Sequence, residues 1–292
     1  MDYSGMLRKF GKQVADEDIA GMLGKVNARA GKNQNRKVYG SCFGCLDLTS
    51  LGSGDTHEHI EQMTLKAVDL KNHFPGVPNV ASVCVFPVFV ETAGLVIGES
   101  DIAITSVAGG FPSSQTFLEV KMLEASMAVE NGADEIDVVM SVGQFLSGAW
   151  DEVGGELETI RGEIGPDTVF KVIIESGLLD DPLSIRRASL IAMAAGADFV
   201  KTSTGKAGPG ATPEAAVVMC GAIKDYYAAT GRKVGFKAAG GVSTAHDAAL
   251  YYTIVEEILG CGWLSPDLFR IGASALADNL LSEIGDREVK YF

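Results

Sequence analysis

Gly132-Ala-Asp-Glu-Ile-Asp137 and Gly196-Ala-Asp-Phe-Val-Lys201 are one turn written twice. In each, a glycine follows a helical stretch, stops it, and leads through Ala-Asp into an apolar run. Asp137 and Lys201 each stand five residues past their glycine. If the two units superpose, these side chains hold the same place on the fourth and sixth strands of the chain. Alternate strands of a closed barrel feed the same interior layer, so both would enter one cavity. The alternative is chance recurrence of a common helix-to-strand turn.

Working outward, eight short apolar runs recur along the chain: 44–48, 82–86, 102–107, 135–140, 169–174, 198–202, 234–238 and 269–272. Each is nearly continuous in apolar residues, which implies burial on both faces, the parallel-sheet pattern. Helical stretches separate most of them. The segment 116–130 carries Val120, Leu123 and Met127 on one side, and Asp181-Pro182 and Thr212-Pro213 each place a cap residue before a proline at the first helical position. Eight strands alternating with helices predict an α/β fold, a (β/α)8 TIM barrel. A doubly wound open sheet is the alternative, but its usual Gly-x-Gly-x-x-Gly turn after the first strand is missing. The expected organisation is an N-terminal helical, basic extension over 1–40, the barrel over 41–284, and a mobile tail over 285–292.

The bulk numbers bound the function. With 292 residues, 47% of them apolar, the chain can bury a large single core. A net charge of −14 argues against nucleic acid as a partner. No apolar run reaches the roughly 18 residues a membrane span needs, and the N-terminus has no apolar signal core, so the expected location is cytoplasmic. Five irregularly spaced cysteines read as free thiols. Cys42-Phe-Gly-Cys45 stands without a second ligand pair and is weak ground for zinc. His57 and His59 diverge at helical spacing and read as an exposed first turn. Within the extension, 25–40 carries Lys25, Arg29, Lys32, Arg36 and Lys37 and no acid. Such a stretch is either a solvated linker or a contact for a protein partner or a neighbouring subunit.

Catalytic groups of a barrel gather at the C-terminal strand ends. The polar residues there are Asp47, Cys84, Asp137, Glu175, Lys201 and Lys237. Two lysines inside apolar runs stand out, because a buried charge costs several kcal/mol unless it is paired or used. Lys237 as a cation is expected to depress the pKa of Lys201 by like-charge repulsion, with burial adding to it. Neutral Lys201 can then attack an aldehyde, and Asp137 suits the proton transfers at the carbinolamine. Such chemistry needs no metal and no organic cofactor. A structural ion-pair core is the competing reading. Beside this centre Thr204-Gly205-Lys206, Gly240-Gly241 and Gly272 follow strand ends, where backbone N–H groups can cradle an anion. Thr204-Gly205-Lys206 lacks the spacing of a P-loop.

From Leu46 to Leu281 the chain resembles the 2-deoxyribose-5-phosphate aldolases. The motifs that carry the resemblance are Leu46-Asp-Leu-Thr49, Cys84-Val-Phe-Pro87, Gly110-Phe-Pro112, Glu135-Ile-Asp137, Lys171-Val-Ile-Ile-Glu175, Ala197-Asp-Phe-Val-Lys-Thr-Ser-Thr-Gly-Lys206, Lys237-Ala-Ala-Gly-Gly-Val242 and Arg270-Ile-Gly-Ala-Ser274. The resemblance implies Lys201 as the Schiff-base lysine, Lys237 as the lysine that lowers its pKa, and Asp137 as the proton shuttle. It also implies a proton relay of Asp47 with Lys237, and Cys84 lining the pocket. The implied reaction is reversible cleavage of 2-deoxy-D-ribose 5-phosphate to acetaldehyde and D-glyceraldehyde 3-phosphate. The implied setting is a metal-free cytoplasmic homodimer acting in nucleoside catabolism.

The chain departs from that family's pattern at the expected phosphate cradle. Ser243 stands where arginine usually follows Lys-x-Ala-Gly-Gly-Val, and Ala275 stands where a second polar residue often follows Ser274. A charge-assisted contact to phosphate is worth about 1.5–3 kcal/mol, so affinity is expected to fall about tenfold or more, with Lys206 a candidate to compensate. Tyr291 matches a C-terminal tyrosine that folds over the pocket in some family members. Two alternatives stay open: an aldolase for a different or unphosphorylated aldehyde, and a barrel without useful turnover that binds a partner through its basic arm.

Overall fold

The structure, a computed structural model, describes residues 1–12, 14–179 and 181–292. Three helices come first: α1 (Tyr3–Phe10), α2 (Asp16–Asn33) and α3 (Arg36–Gly44). Strands and helices then alternate: β1 (Leu46–Thr49), α4 (His57–His73), β2 (Ser82–Val85), α5 (Val90–Ile97), β3 (Ala103–Ala108), α6 (Leu118–Glu130), β4 (Glu135–Val139), α7 (Val142–Leu146), α8 (Trp150–Ile164), β5 (Val169–Ile173), α9 (Pro182–Ala194), β6 (Phe199–Lys201), α10 (Pro213–Thr230), β7 (Gly235–Ala239), α11 (Ala245–Leu259), β8 (Phe269–Ala273) and α12 (Leu276–Gly285). The strands run parallel in sequence order and β8 closes onto β1, which makes the predicted (β/α)8 barrel. The first strand starts later than its apolar run suggests, because α3 continues through Gly44 and Cys45 caps it.

Local chemistry explains the helix starts. Asp181 accepts from the Ser184 amide and Thr212 from the Ala215 amide, with Pro182 and Pro213 at the first helical position. Helix α6 differs from the sequence expectation in one respect. Its barrel-facing side is Lys121, Ala125 and Ala128, while Val120, Leu123 and Met127 face outward and are exposed. Lys121 can be buried because its ammonium meets Glu156 at 2.9 Å and Ser141 at 2.7 Å.

The N-terminal helices wrap the barrel's outer wall. Arg29 pairs with Glu256 and Glu257 of α11, and Asn33 donates to Thr253 and Glu256. Lys25, Lys32 and Lys37 stay exposed. At the other end, the Tyr291 hydroxyl donates to the Lys66 carbonyl on α4, and the amides of Tyr291 and Phe292 both reach Asp278. The Tyr291 ring packs on His73 and Phe74, at the end of α4 remote from the strand tops. The expectation that Tyr291 covers the pocket is therefore corrected: apolar and hydrogen-bonding partners on α4 and α12 hold it against the outer wall.

Strand register sorts the barrel interior into layers. Even strands supply Ser82, Glu135, Phe199 and Arg270 at the floor and, two residues on, Cys84, Asp137, Lys201 and Gly272 at the top. Odd strands supply Asp47, Thr105, Lys171 and Lys237 between them. Three layers of four is the usual filling of such a barrel, but here aliphatic residues are replaced by charged and polar ones.

Candidate active site

At the C-terminal end of the strands lies a cavity of about 410 Å³. Thr49, Lys201, Ala239 and Ala273 mark four strand ends on its wall, and Gly205, Lys206, Gly240, Gly241, Ser243, Gly272, Ser274 and Ala275 complete one side. A larger cavity of about 1070 Å³ opens at the opposite end, among Ala81, Ala103, Glu135, Val169 and Arg270. Reacting groups of barrels collect at the C-terminal end, so the smaller cavity is the candidate site.

Lys201 is the one member of the inner charge cluster on the wall of this cavity. Its ammonium lies 2.7 Å from Oδ2 of Asp137, and the Lys237 ammonium lies at the same distance from the same oxygen. Lys237 also contacts Asp47. Lys171 sits 2.9 Å from the other Asp137 oxygen, 2.5 Å from Glu135 and 3.7 Å from Asp47. Arg270 bridges Asp47 at 2.5 Å and Glu135 at 2.6 Å.

Burial and pairing set the charges. Burial is the largest influence on Lys201 and lowers its pKa; Asp137 offsets this in part, and repulsion from Lys237 adds to it. The repulsion from Lys237, which the sequence suggests as the leading influence, comes after burial. Burial opposes charge on Lys237 too, but Asp137 and Asp47 outweigh it and hold its pKa above the ordinary lysine value. Burial would raise the carboxyl of Asp137, yet Lys171, Lys201 and Lys237 hold it well below its usual range. The same contest ends the same way at Asp47, through Lys237, Arg270 and Lys171. The arrangement is one amine pressed toward neutrality on a pocket wall, with a carboxylate that rests ionised and a second ammonium that holds its proton behind it.

Asp137, Asp47, Lys237 and Cys84 are all fully buried. Cys84 packs with Leu51 and Val107 behind the cavity wall, and burial pushes its thiol pKa up. It sits in the layer of Lys201 but not on the open wall. Gly272 serves the centre directly, since a Cβ there would press on Cε of Lys237 at 3.1 Å.

The loops beyond β6 and β7 touch backbone to backbone. A Cβ on Gly240, which has a φ of +82°, would meet the Gly210 Cα at 3.0 Å and the Gly205 Cα at 3.2 Å. Glu175 fastens the first loop from below: its carboxylate accepts from the Thr204 amide and from the Thr204 hydroxyl at 2.6 Å. Glu175 is itself held in left-handed backbone at φ 51°, ψ 58°. Thr204 in turn accepts from the Lys206 amide. Ser243 and Ser274 lie at the exposed rim, and the first turn of α12 starts beside them. Unpaired N–H groups of a first helical turn favour an anion.

Sequence reasoning missed Lys171, Glu135, Arg270 and Thr105 as members of the centre, and it gave Glu175 no task. The signal was available: Glu135 and Asp137 are two apart on one strand and so share a face. Lys171 and Arg270 interrupt apolar runs as Lys201 does. Cys42 and Cys45 are buried, and among the described residues no three His, Cys, Asp or Glu side chains gather as a metal site would require. No described helix is long and apolar enough to cross a membrane.

Comparison with known proteins agrees with this arrangement. The pattern of the DeoC/LacD family aldolases matches residues 46–262. The deoxyribose-phosphate aldolase of Bos taurus is 41% identical over 251 residues, 82% of this chain and 78% of its own. The human deoxyribose-phosphate aldolase is 40% identical over 250 residues with the same coverage of both chains. Among solved structures, the tetrameric deoxyribose phosphate aldolase of Aeropyrum pernix superposes with a TM-score of 0.66 at 26% identity, over 92% of this chain and 98% of its own. The catalytic-end cavity, the charged barrel interior and these likenesses lead to one conclusion: the chain belongs to the DeoC/LacD family of aldolases.

Proposed function

We propose that the protein cleaves and forms 2-deoxy-D-ribose 5-phosphate through a Schiff base on Lys201. The observation that carries this is the single depressed lysine on the cavity wall, hydrogen-bonded to Asp137. The neutral amine of Lys201 adds to the C1 aldehyde of the open-chain sugar. Asp137 stands where it can pass protons between the amine and the carbinolamine oxygen, which leaves as water and yields the iminium. Asp137 takes the C3 hydroxyl proton as the C2–C3 bond breaks, and the iminium accepts the electron pair. D-Glyceraldehyde 3-phosphate departs, the same proton is returned to C2 of the enamine, and hydrolysis frees acetaldehyde and the lysine. Lys237 remains charged throughout, orienting Asp137 and discouraging protonation of Lys201. No step draws on a metal or an organic cofactor.

The phosphate end is assigned to Gly205, Lys206, Gly240, Gly241, Ser274 and the first turn of α12. Ser243 supplies no cation there, so Lys206 carries the positive charge of the rim. Steady-state cleavage of the phosphorylated and the bare sugar tests the reading. It requires detectable release of both aldehydes, and a lower KM for the phosphorylated sugar. Turnover of neither sugar would sink it.

Self-association is the second part of the proposal. Val88, Leu95, Phe117, Val120, Leu123 and Met127, each on or beside α5 or α6, are exposed. Val88, Val120, Leu123 and Met127 line one apolar groove. A patch of this kind on a chain of net charge −14 suits a second copy presenting the same apolar face, as in a homodimer. The basic stretch 25–40 is a weaker candidate for partner contact, because Arg29 is engaged by α11.

A further inference from the structure

The barrel interior holds more charge than imine chemistry uses. Its layers contain four cations, Lys171, Lys201, Lys237 and Arg270, and three carboxylates, Asp47, Glu135 and Asp137. With every group ionised, the buried cluster has one cation in excess. An isolated excess charge in such a place is costly, so one proton is the easiest to lose.

The contacts identify which. Arg270 touches Asp47 and Glu135; Lys171 touches Glu135, Asp137 and Asp47; Lys237 touches Asp47 and Asp137. Lys201 touches only Asp137 among the described carboxylates. Arg270 cannot lose its proton in a protein. Lys201 also borders the open cavity, which gives its proton a way out. The other titratable groups near Lys201 are Cys84 from β2, whose thiol burial keeps neutral, Glu175 just past β5, whose carboxylate is bonded to Thr204, and Asp55 and Lys206, which line the same cavity and touch none of the cluster's carboxylates.

We infer that Arg270, Glu135 and Lys171 are positioning residues whose charges, relayed through Asp47 and Asp137, decide the protonation state of Lys201. The floor pair Arg270 and Glu135 lies two layers below the reacting amine and touches no substrate. Its members must act in opposite senses. Removing the Arg270 charge leaves three cations to three carboxylates, so Lys201 can keep its proton. Removing the Glu135 charge leaves two cations in excess, so Lys201 loses its proton more readily. A purely structural ion pair predicts equal damage from either loss and no opposed effect on titration. This inference rests on the imine reading of Lys201.

The test is reductive ethylation of the intact protein with acetaldehyde and cyanoborohydride across pH, followed by peptide mapping of Lys201. The variants are Arg270→Met, Glu135→Gln, Lys171→Met and the double variant of the floor pair, each checked for folding by circular dichroism. The acid limb of Lys201 labelling is expected to move up by about one pH unit in Arg270→Met and Lys171→Met, and down by about one unit in Glu135→Gln. The double variant is expected to return close to the parent. Glu135→Gln is nearly isosteric, and with Lys171→Met it supplies both signs if Arg270→Met does not fold. Limbs that stay fixed, or move the same way in the two charge classes, overturn the inference while leaving Lys201 as the imine lysine. Absence of any adduct on parental Lys201 overturns the imine reading itself, and this inference with it.

Discussion

Lys201 and Lys237 share one oxygen: both ammonium nitrogens lie 2.7 Å from Oδ2 of Asp137. Two cations on one acceptor atom differ only in what else surrounds them. Lys237 has Asp47 as a second partner, whereas Lys201 has the cavity. On the proposed reading, that asymmetry keeps Lys237 charged and leaves Lys201 to act as the nucleophile, with consequences that can be measured.

Asp137→Asn removes the shared acceptor. Turnover is expected to drop by about 10²–10⁴, because the proposed mechanism loses the group that moves protons at the carbinolamine. Stability is expected to fall by about 3–5 kcal/mol, since Lys171 and Lys237 lose a buried counter-charge. Denaturant unfolding and single-turnover kinetics separate the two effects.

The pH dependence of stability has a definite sign. Asp47 and Asp137 titrate below their unfolded values, so their contribution is complete above about pH 3.9 and is lost as pH falls through the depressed folded values. Lys237 titrates above its unfolded value, so its contribution is complete below about pH 10.4 and is lost as pH rises through the raised one. Urea midpoints measured from pH 2 to 11 are expected to fall off at both ends. Asp47→Asn is expected to weaken the acid-side fall-off, and an unchanged acid side in that variant would count against the pairing.

Ser243→Arg restores a cation at the rim. The KM for the phosphorylated sugar is expected to drop about tenfold or more, the equivalent of about 1.5–3 kcal/mol, while the bare sugar is unaffected. Equal changes for both sugars would place the phosphate elsewhere.

Gly210→Ala would drive a methyl group into the Gly240 carbonyl and part the loops after β6 and β7. Overpacking of this kind costs about 1–3 kcal/mol. A raised KM for the phosphorylated sugar should accompany the loss of thermal stability.

Leu123→Glu puts a charge into the exposed apolar face of α6. Light scattering is expected to show a smaller species than the parent, with the fold retained. A parent that is already monomeric would remove the self-association proposal.

The barrel was legible because its eight apolar runs are buried on both faces and because the repeated Gly-Ala-Asp turn fixes the direction of Asp137 and Lys201. The deeper charge layers were not. Arg270 reaches Asp47 and Glu135 on strands far apart in sequence, and Lys171, which pairs with Glu135 and Asp137 of the neighbouring β4, also approaches Asp47 of β1; only the closed barrel brings these groups together. Helix α6 shows the opposite failure. Val120, Leu123 and Met127 form an apolar stripe, but the stripe faces away from the barrel, and the buried side is small residues around Lys121. Tyr291 matched a pattern by position, yet its contacts with His73, Phe74 and Lys66 hold it on the outer wall.

Borohydride trapping with acetaldehyde, followed by peptide mapping, tests the central claim most directly, because acetaldehyde carries no phosphate and isolates the amine chemistry from the rim. The account predicts a reduced ethyl adduct on Lys201 that Lys201→Ala abolishes. A folded protein that forms no adduct, or forms it on Lys237, would contradict it.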